Sequence, residues 1–93
     1  MIPFTHVKGK IKGRIELYAL STCVWCKKTR KLLDDNGIDY YYVYVDLLEQ
    51  DENLKVKEEV KKWNPLCSFP TLIFGGDKCV VGFDEEKIMK EIG

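Results

Sequence analysis

Two cysteines separated by two residues, Cys23 and Cys26, are the part of the sequence best suited to chemistry. The thiolate is the nucleophilic form of cysteine, and a Cys-X-X-Cys pair can attack a disulfide and then close into one. A loop this short constrains the unfolded chain little, so stabilisation of the fold is a poor reason for the pairing. The spacing predicts a redox pair, with Cys23 as the nucleophile and Cys26 as the resolving thiol.

The segments around this pair predict a strand followed by a helix. Residues 14–19 alternate polar and apolar side chains, as is typical of a half-buried strand. Ser21 and Thr22 are common helix-capping residues and residues 36–37 (Asn-Gly) form a typical helix end, so we expect a helix between them. Unpaired N–H groups and the dipole at a helix start favour negative charge on the sulfur of Cys23. The dipole supplies only about 0.3–2 kcal/mol, so hydrogen bonds from the second cysteine are expected to contribute as well.

Four cations follow the second cysteine within five positions: Lys27, Lys28, Arg30 and Lys31. They could support the thiolate and attract an anionic thiol or an acidic partner, or they could form an ordinary solvated helix face. Cations in mid-helix lie more than a turn from the sulfur, where screening weakens their effect. We therefore expect Lys27 to tune the thiolate but not to create it.

The rest of the chain predicts a second strand, a second helix, a hairpin and a last helix. Residues 39–45 are aromatic and β-branched, which favours a strand, and residues 46–50 form a connection. A helix is expected from a cap at Asn53 through Trp63, before Asn64-Pro65 breaks it. Two strands at 71–74 and 78–81 flank a Gly-Gly-Asp turn, and Asp84 caps the last helix. The side chains expected to face inward from these two helices are Leu54, Val56, Val60 and Trp63, and Ile88, Met89 and Ile92.

This order predicts an α/β fold with a mixed central sheet flanked by helices. The first half is a βαβ unit with a parallel strand pair, and the second half ends in an antiparallel hairpin. We expect one domain over residues 14–93. Residues 1–13 form a short N-terminal extension that is either an additional edge strand or a loose arm.

Composition and charge exclude several classes of function. The 93 residues carry 15 Lys+Arg and 15 Asp+Glu, whereas a dedicated nucleic-acid-binding domain is expected to be strongly basic. No apolar run is long enough to span a membrane, and the N-terminus does not resemble a signal peptide, so we expect a cytoplasmic monomer. The neutrality is a cancellation, because residues 1–31 hold eight Lys/Arg and one acid while residues 32–93 hold seven Lys and fourteen acids. The surface should therefore be polarised.

The cysteines also allow a structural interpretation. Two structural disulfides are disfavoured because the chain carries no secretory signal and has enough apolar residues for a core. Zinc bound by Cys23, Cys26, Cys67 and Cys79 would need a second close pair, whereas the last two cysteines are separated by eleven residues. We expect no metal site and a packed Cys79. Cys67 is either a third redox thiol or an inert residue, and we expect it to be inert.

Three motifs in register closely resemble the glutaredoxin family of the thioredoxin fold. They are Cys23-Val24-Trp25-Cys26, Ser68-Phe69-Pro70-Thr71 and Val81-Gly82-Phe83-Asp84, and the match runs from about Arg14 to Gly93. Within that family the chain is most similar to the small glutaredoxin-like proteins of anaerobic prokaryotes and archaea. The resemblance implies a thioredoxin fold, β-α-β-α-β-β-α, and a thiol–disulfide oxidoreductase.

The resemblance also implies the residues that bind substrate. Pro70 would follow a cis peptide bond and present the backbone of Phe69 to an extended substrate. Trp25 would lie exposed beside the thiols, where it can stack against a substrate or partner. The family uses the stretch corresponding to Gly82, Phe83 and Asp84 to hold one end of glutathione. The substrate-binding set is therefore Trp25, Ser68, Phe69, Pro70, Gly82, Phe83 and Asp84.

Three features, covering four positions, depart from the glutathione-using members of the family. Val24-Trp25 replaces Pro-Tyr, Leu20 stands where a lysine usually binds a glutathione carboxylate, and Val81 replaces the first glycine of a pair. The resemblance implies no bound cofactor beyond the redox-active Cys23–Cys26 disulfide, with glutathione or another low-molecular-weight thiol as a possible co-substrate. The donor stays open among glutathione, another small thiol such as coenzyme M, a flavin thioredoxin reductase and a ferredoxin-linked reductase.

We therefore expect a dithiol oxidoreductase that reduces protein or low-molecular-weight disulfides and is recharged by a thiol or a reductase protein. Two other functions remain open at this point. One is a non-catalytic metal-binding module that uses Cys23 and Cys26. The other is an interaction protein whose partner surface changes when the Cys23–Cys26 disulfide forms.

Overall fold

A five-stranded mixed sheet is the framework that positions both cysteines. The computed structural model describes residues 2–93. The strands are β1 (Thr5–Val7), β2 (Ile15–Ala19), β3 (Tyr40–Tyr44), β4 (Thr71–Phe74) and β5 (Lys78–Val81), and the helices are α1 (Val24–Asp35), α2 (Gln50–Trp63) and α3 (Glu85–Ile92). A short 3₁₀ turn, Val45–Leu47, follows β3. This is the thioredoxin-like architecture that the sequence predicted.

The strand order is β1-β3-β2-β4-β5, so β2 lies at the centre of the sheet. It runs parallel to β3 and antiparallel to β4, while the edge pairs β1–β3 and β4–β5 are antiparallel. The parallel pair has α1 as its crossover, as a βαβ unit requires. The carboxyl ends of β2 and β3, the start of β4 and the end of β5 therefore meet at one edge of the sheet.

Two apolar cores cover the two faces of this sheet. On one face Leu17 and Leu72 pack with side chains from α1 and α3, among them Leu33 and Ile88. On the other face Tyr18, Val43 and Ile73 pack with Val56 and Val60 of α2. The helices α1 and α3 thus share one face, and α2 covers the other. None of the helices formed by residues 2–93 is long and apolar enough to cross a membrane.

The N-terminal extension contains an edge strand, β1 (Thr5–Val7). β1 pairs with β3, and the His6 imidazole lies 2.9 Å from a carboxylate oxygen of Asp39. The same carboxylate accepts the Gly9 N–H at 3.1 Å, and the His6 ring stacks on Tyr41 at 4.3 Å between centroids. These contacts attach the extension to the start of β3. The boundary of the domain at residue 14 stays a prediction.

The predicted starts of the first two helices were wrong, for the same physical reason. Cys23, not Ser21 or Thr22, is the N-cap of α1, because the Ser21 side chain instead donates to Asp46. The second helix begins at Gln50 after Glu49, three residues before the expected cap, and the Asn53 side chain donates to the Val45 carbonyl at 2.7 Å. In each case the side chain of a good capping residue has a partner elsewhere in the fold.

Two side chains predicted to face inward are exposed. Leu54 is 55% and Met89 is 36% exposed, whereas Val56, Val60, Ile88 and Ile92 are buried. Helical spacing places Leu54 and Met89 near the apolar face, but neither side chain belongs to the two buried clusters that cover the sheet. The other elements lie within a residue of their predicted bounds, and Gly37 ends α1 with a φ of 63°, which glycine adopts without the cost of a Cβ.

The two environments of leucine allow a direct test of this packing. Leu72→Ala removes a fully buried side chain from the centre of the sheet and should lower the free energy of unfolding by about 2–5 kcal/mol. The matched control Leu54→Ala should change it by no more than about 0.5 kcal/mol. Urea denaturation measures both values. If Leu54→Ala lowered the free energy of unfolding as much as Leu72→Ala does, Leu54 would be buried and α2 would be packed differently from this description.

Candidate functional site

Cys23 lies at the point where the chain leaves β2 and enters α1. Its sulfur caps the helix and accepts the backbone N–H of Cys26 at 3.2 Å. Its own N–H donates to the Leu20 carbonyl at 3.2 Å, and its carbonyl accepts the Lys27 N–H at 3.1 Å. The half-buried sulfur thus sits at the positive end of the helix and accepts a backbone hydrogen bond there.

Cys26 lies one helical turn further on and is 1% exposed. Burial, followed by the hydrogen bond with Cys23, raises the pKa of the Cys26 thiol from 9.0 to about 12. The backbone of Leu20 acts in the opposite direction, while the charges of Cys23 and Asp46 add to the rise. At neutral pH the pair is therefore asymmetric, with an accessible sulfur at a helix start and a buried thiol that keeps its proton. All four cysteines of the chain are free thiols.

An apolar groove of about 280 Å³ lies at the same edge of the sheet. Trp25 is 54% exposed, and its ring stacks on Phe83 at 6.1 Å between centroids with an interplanar angle of 23°. These two rings form one wall. Five of the residues predicted to bind substrate line the groove together: Trp25, Phe69, Pro70, Gly82 and Phe83.

The groove contains backbone groups that a substrate could use. The Phe69–Pro70 peptide bond is cis, and within residues 2–93 neither the N–H nor the carbonyl of Phe69 has a hydrogen-bond partner. The Pro70 carbonyl accepts the Gly82 N–H at 2.8 Å. Gly82 has a φ of 81°, a conformation that side chains with a Cβ disfavour. The hydrogen bond between Pro70 and Gly82 joins the wall formed by Trp25 and Phe83 to the opposite wall, formed by Phe69 and Pro70.

Ser68 and Asp84 lie outside the residues that line the groove. Ser68 is exposed, and its hydroxyl and carbonyl accept hydrogen bonds from the Asn64 side chain. Asp84 caps α3, where its carboxylate accepts the Lys87 N–H at 3.1 Å. The geometry thus gives Asp84 the capping role that its position in the sequence also predicted.

Three of the four cations near the thiols have other partners. The Lys28 ammonium lies 4.6 Å from the centre of the Trp25 ring, and Lys31 pairs with Asp35 at 3.0 Å. Arg30 donates to the hydroxyls of Tyr40 and Tyr44, each at 3.0 Å, and lies over the Tyr42 ring. Lys27 is exposed and forms no ion pair within the described residues 2–93. Its predicted tuning of the thiolate stays a prediction.

One carboxylate that no local pattern indicated holds the segment between β2 and α1, residues 20–23, called here the thiol loop. Asp46 accepts the Ser21 N–H at 2.8 Å and the Ser21 hydroxyl. Burial alone would raise the pKa of Asp46, but these hydrogen bonds outweigh it and hold the pKa below its usual value. The two residues are 25 positions apart, and only the parallel pairing of β2 with β3 brings them together. Local spacing could not have revealed the contact.

The remaining cysteines lie on the α2 face of the sheet. The Cys67 sulfur is 3.8 Å from the Lys57 carbonyl, and the Cys79 sulfur is 3.7 Å from the Trp63 carbonyl. Burial raises the pKa of the Cys79 thiol, in keeping with a packed residue. Within residues 2–93 no group of three or more His, Cys, Asp or Glu side chains is arranged to hold a metal ion.

Comparison with known proteins gives one consistent result. A family model described as glutaredoxin matches residues 15–80. A glutaredoxin-like 8.6 kDa protein of the rubredoxin operon of Clostridium pasteurianum is 32% identical over 78 residues, which cover 84% of this chain and 96% of that protein.

Two archaeal crystal structures are closer in sequence. Methanosarcina acetivorans methanoredoxin is 50% identical, with a TM-score of 0.89 over 91% of this chain and 90% of that one. The glutaredoxin of Methanosarcina mazei is 51% identical, with a TM-score of 0.89 over 97% and 87%.

The buried thiol predicts a specific dependence of stability on pH. As the pH rises above about 9, a cysteine in the unfolded chain ionises, whereas folded Cys26 keeps its proton until about 12. The unfolded state then binds fewer protons than the folded state, so the free energy of unfolding of the reduced protein should fall. Denaturant titrations between pH 8 and about 10 should show a steeper fall for wild type than for Cys26→Ser. Contributions from Cys79, Tyr18 and Tyr40, whose pKa values burial also raises, are present in both proteins. If the free energy of unfolding fell equally steeply with pH in wild type and Cys26→Ser, the raised pKa of Cys26 would be contradicted.

Proposed function

The chain belongs to the glutaredoxin family of thiol–disulfide oxidoreductases, and from this premise we propose that it reduces disulfides by a dithiol mechanism. The observation that carries the proposal is the asymmetry of the thiol pair. The Cys23 sulfur caps a helix and is half-buried, whereas the Cys26 thiol is buried and has a raised pKa. These two environments suit a nucleophile and a resolving thiol, respectively.

The reaction has two exchange steps. The Cys23 thiolate attacks one sulfur of the substrate disulfide, forms a mixed disulfide and releases the other sulfur as a thiolate. Cys26 then loses its proton and attacks the Cys23 sulfur. This step forms the Cys23–Cys26 disulfide and releases the second substrate thiolate. Two electrons pass from the cysteine pair to the substrate. One released thiolate takes up the proton that Cys26 loses, and the other takes a proton from water.

The raised pKa of Cys26 has a role in this sequence. While Cys26 is protonated it does not compete as a nucleophile, so the incoming disulfide reacts with Cys23. When Cys23 enters the mixed disulfide it no longer carries a negative charge, and it no longer acts as an acceptor as strongly as a thiolate does. One of the causes that raise the pKa of Cys26 is then removed. Resolution thus becomes easier after the first step.

The groove suggests the class of substrate. Its lining is apolar or aromatic except for the backbone of Gly82 and the free backbone groups of Phe69. An extended protein segment can pair with that backbone and place apolar side chains between Trp25 and Pro70. Glutathione carries two carboxylates, and the groove offers no cationic side chain among its lining residues, while Lys28 lies over the Trp25 ring. We therefore propose protein disulfides flanked by apolar residues as the preferred substrates.

Oxidised protein must be reduced again by an electron donor. The family needs no bound cofactor, and we propose a reductase protein or a low-molecular-weight thiol, glutathione included, as the donor. We also propose that the protein is a monomer. It would work in a reducing compartment such as the cytoplasm, where free thiols persist.

The mechanism predicts different outcomes for the two cysteines of the pair. Cys23→Ser should reduce the rate of insulin reduction to background, because the nucleophile is lost. Cys26→Ser should react once and accumulate a mixed disulfide with the substrate, visible by intact-mass spectrometry. The controls Cys67→Ser and Cys79→Ser should keep both turnover and the Cys23–Cys26 disulfide. Wild-type turnover in Cys23→Ser would refute the mechanism.

The groove predicts a loss of binding when its exposed wall is removed. Trp25→Ala should raise the KM for insulin about tenfold, since an aromatic contact to substrate and the stack on Phe83 are both lost. Trp25→Phe should retain most of the affinity because it keeps a ring at the same place. Leu54→Ala, which removes an exposed apolar side chain on α2, is the control and should leave the KM unchanged. A wild-type KM in Trp25→Ala would exclude this groove as the docking site.

A further inference from the structure

Asn64, the residue after α2, is buried although its side chain is polar. It is 4% exposed, and its N–H donates to the Val60 carbonyl at 2.8 Å and closes the last turn of the helix. A buried amide is costly unless it is hydrogen-bonded, so the partners of this side chain fix its orientation. Those partners belong to the segment that follows Asn64 and runs to Thr71, the first residue of β4. This segment includes Phe69 and Pro70, which line the groove.

The side-chain nitrogen of Asn64 bridges both ends of that segment. Nδ2 lies 3.1 Å from the Ser68 carbonyl, 2.9 Å from the Ser68 hydroxyl and 3.3 Å from the Thr71 hydroxyl. The Thr71 hydroxyl in turn donates to the Ser68 carbonyl at 2.8 Å. Phe69 and Pro70, which line the groove, lie between these two attachment points.

The first half of the segment also depends on Asn64. The Cys67 N–H donates to the Asn64 carbonyl at 2.8 Å and closes a turn over residues 64–67. Cys67 has a φ of 51°, a left-handed conformation that residues with a Cβ disfavour. Such a conformation persists only where surrounding bonds hold it. Residues 65–70, called here the docking loop, are thus held through one asparagine.

The docking loop is linked to the other wall of the groove as well. The Pro70 carbonyl accepts the Gly82 N–H at 2.8 Å, next to Phe83. A shift of the loop would therefore displace both walls. Asn64 itself does not line the groove, so any effect on substrate passes through Ser68 and Thr71.

We propose that Asn64 is a positioning residue that sets the affinity of the groove for protein disulfides by holding the docking loop. The proposal rests on the function proposed above, because it requires the loop to bind substrate. It separates binding from chemistry, because Cys23 caps α1 and Cys26 lies on it, and within residues 2–93 Asn64 makes no hydrogen bond to either residue or to the rest of that helix. Loss of the amide should weaken docking and leave the reactivity of Cys23 unchanged.

The test compares Asn64→Ala with a control that is equally buried. Val60→Ala removes a buried side chain one turn earlier on α2 and destabilises the protein without removing any of the side-chain hydrogen bonds from Asn64 to Ser68 and Thr71. Two probes are used, with dithiothreitol as the reductant: insulin, which must dock, and hydroxyethyl disulfide, which is too small to span the groove. Asn64→Ala should raise the KM for insulin about three- to tenfold, as expected for the loss of a hydrogen bond or two. Its kcat, and its rate constant with hydroxyethyl disulfide, should stay within about twofold of wild type.

Each outcome decides the proposal. Val60→Ala should keep the wild-type KM despite its lower stability. Thr71→Val removes a hydroxyl that bonds with Asn64 and keeps the shape of the side chain, so it should also raise the KM for insulin. If Asn64→Ala does not fold, a wild-type KM in Thr71→Val would overturn the proposal. A wild-type KM in Asn64→Ala, an equal rise in Val60→Ala, or a parallel loss with hydroxyethyl disulfide would overturn the positioning role. If wild type reduces neither probe, the proposed function fails instead.

Discussion

Cys23 occupies the position at the start of α1 that serine, threonine, asparagine or aspartate usually fills, and the rest of the site follows from this. A capping side chain must point back at the first turn, so the sulfur is fixed against the Cys26 N–H at 3.2 Å. Because Cys26 comes three residues later, the same turn carries its thiol into the core. One local constraint thus creates both an accessible sulfur at a positive helix end and a buried thiol.

The second half of the site comes from a distant part of the chain. The central strand β2 pairs with β3 on one side and with β4 on the other, which brings the thiol loop beside the segment before β4. Two side chains complete the arrangement, because Asp46 holds the thiol loop through Ser21 and Asn64 holds the docking loop through Ser68 and Thr71. The sheet therefore places the two loops, and hydrogen bonds from its flanking segments fix their shape.

The sequence predicted those features that local patterns determine. Hydrophobic periodicity located the strands and helices, and the Cys-X-X-Cys spacing identified the thiol pair, because both depend on neighbours along the chain. It predicted the cap of α3 at Asp84 but not the caps of α1 and α2, since Ser21 and Asn53 bond across the fold. Asn64 was interpreted only as a helix end before proline. Its side-chain partners depend on the path of a loop that no periodicity describes.

The central claim is that the two thiols of the pair differ in reactivity because one caps a helix and the other is buried beneath it. Alkylation of the reduced protein with iodoacetamide, followed over time by peptide mass mapping between pH 6 and about 9, measures this difference directly. The account predicts that Cys23 is modified well before Cys26 throughout this range. Equal rates, or modification of Cys26 first, would contradict it.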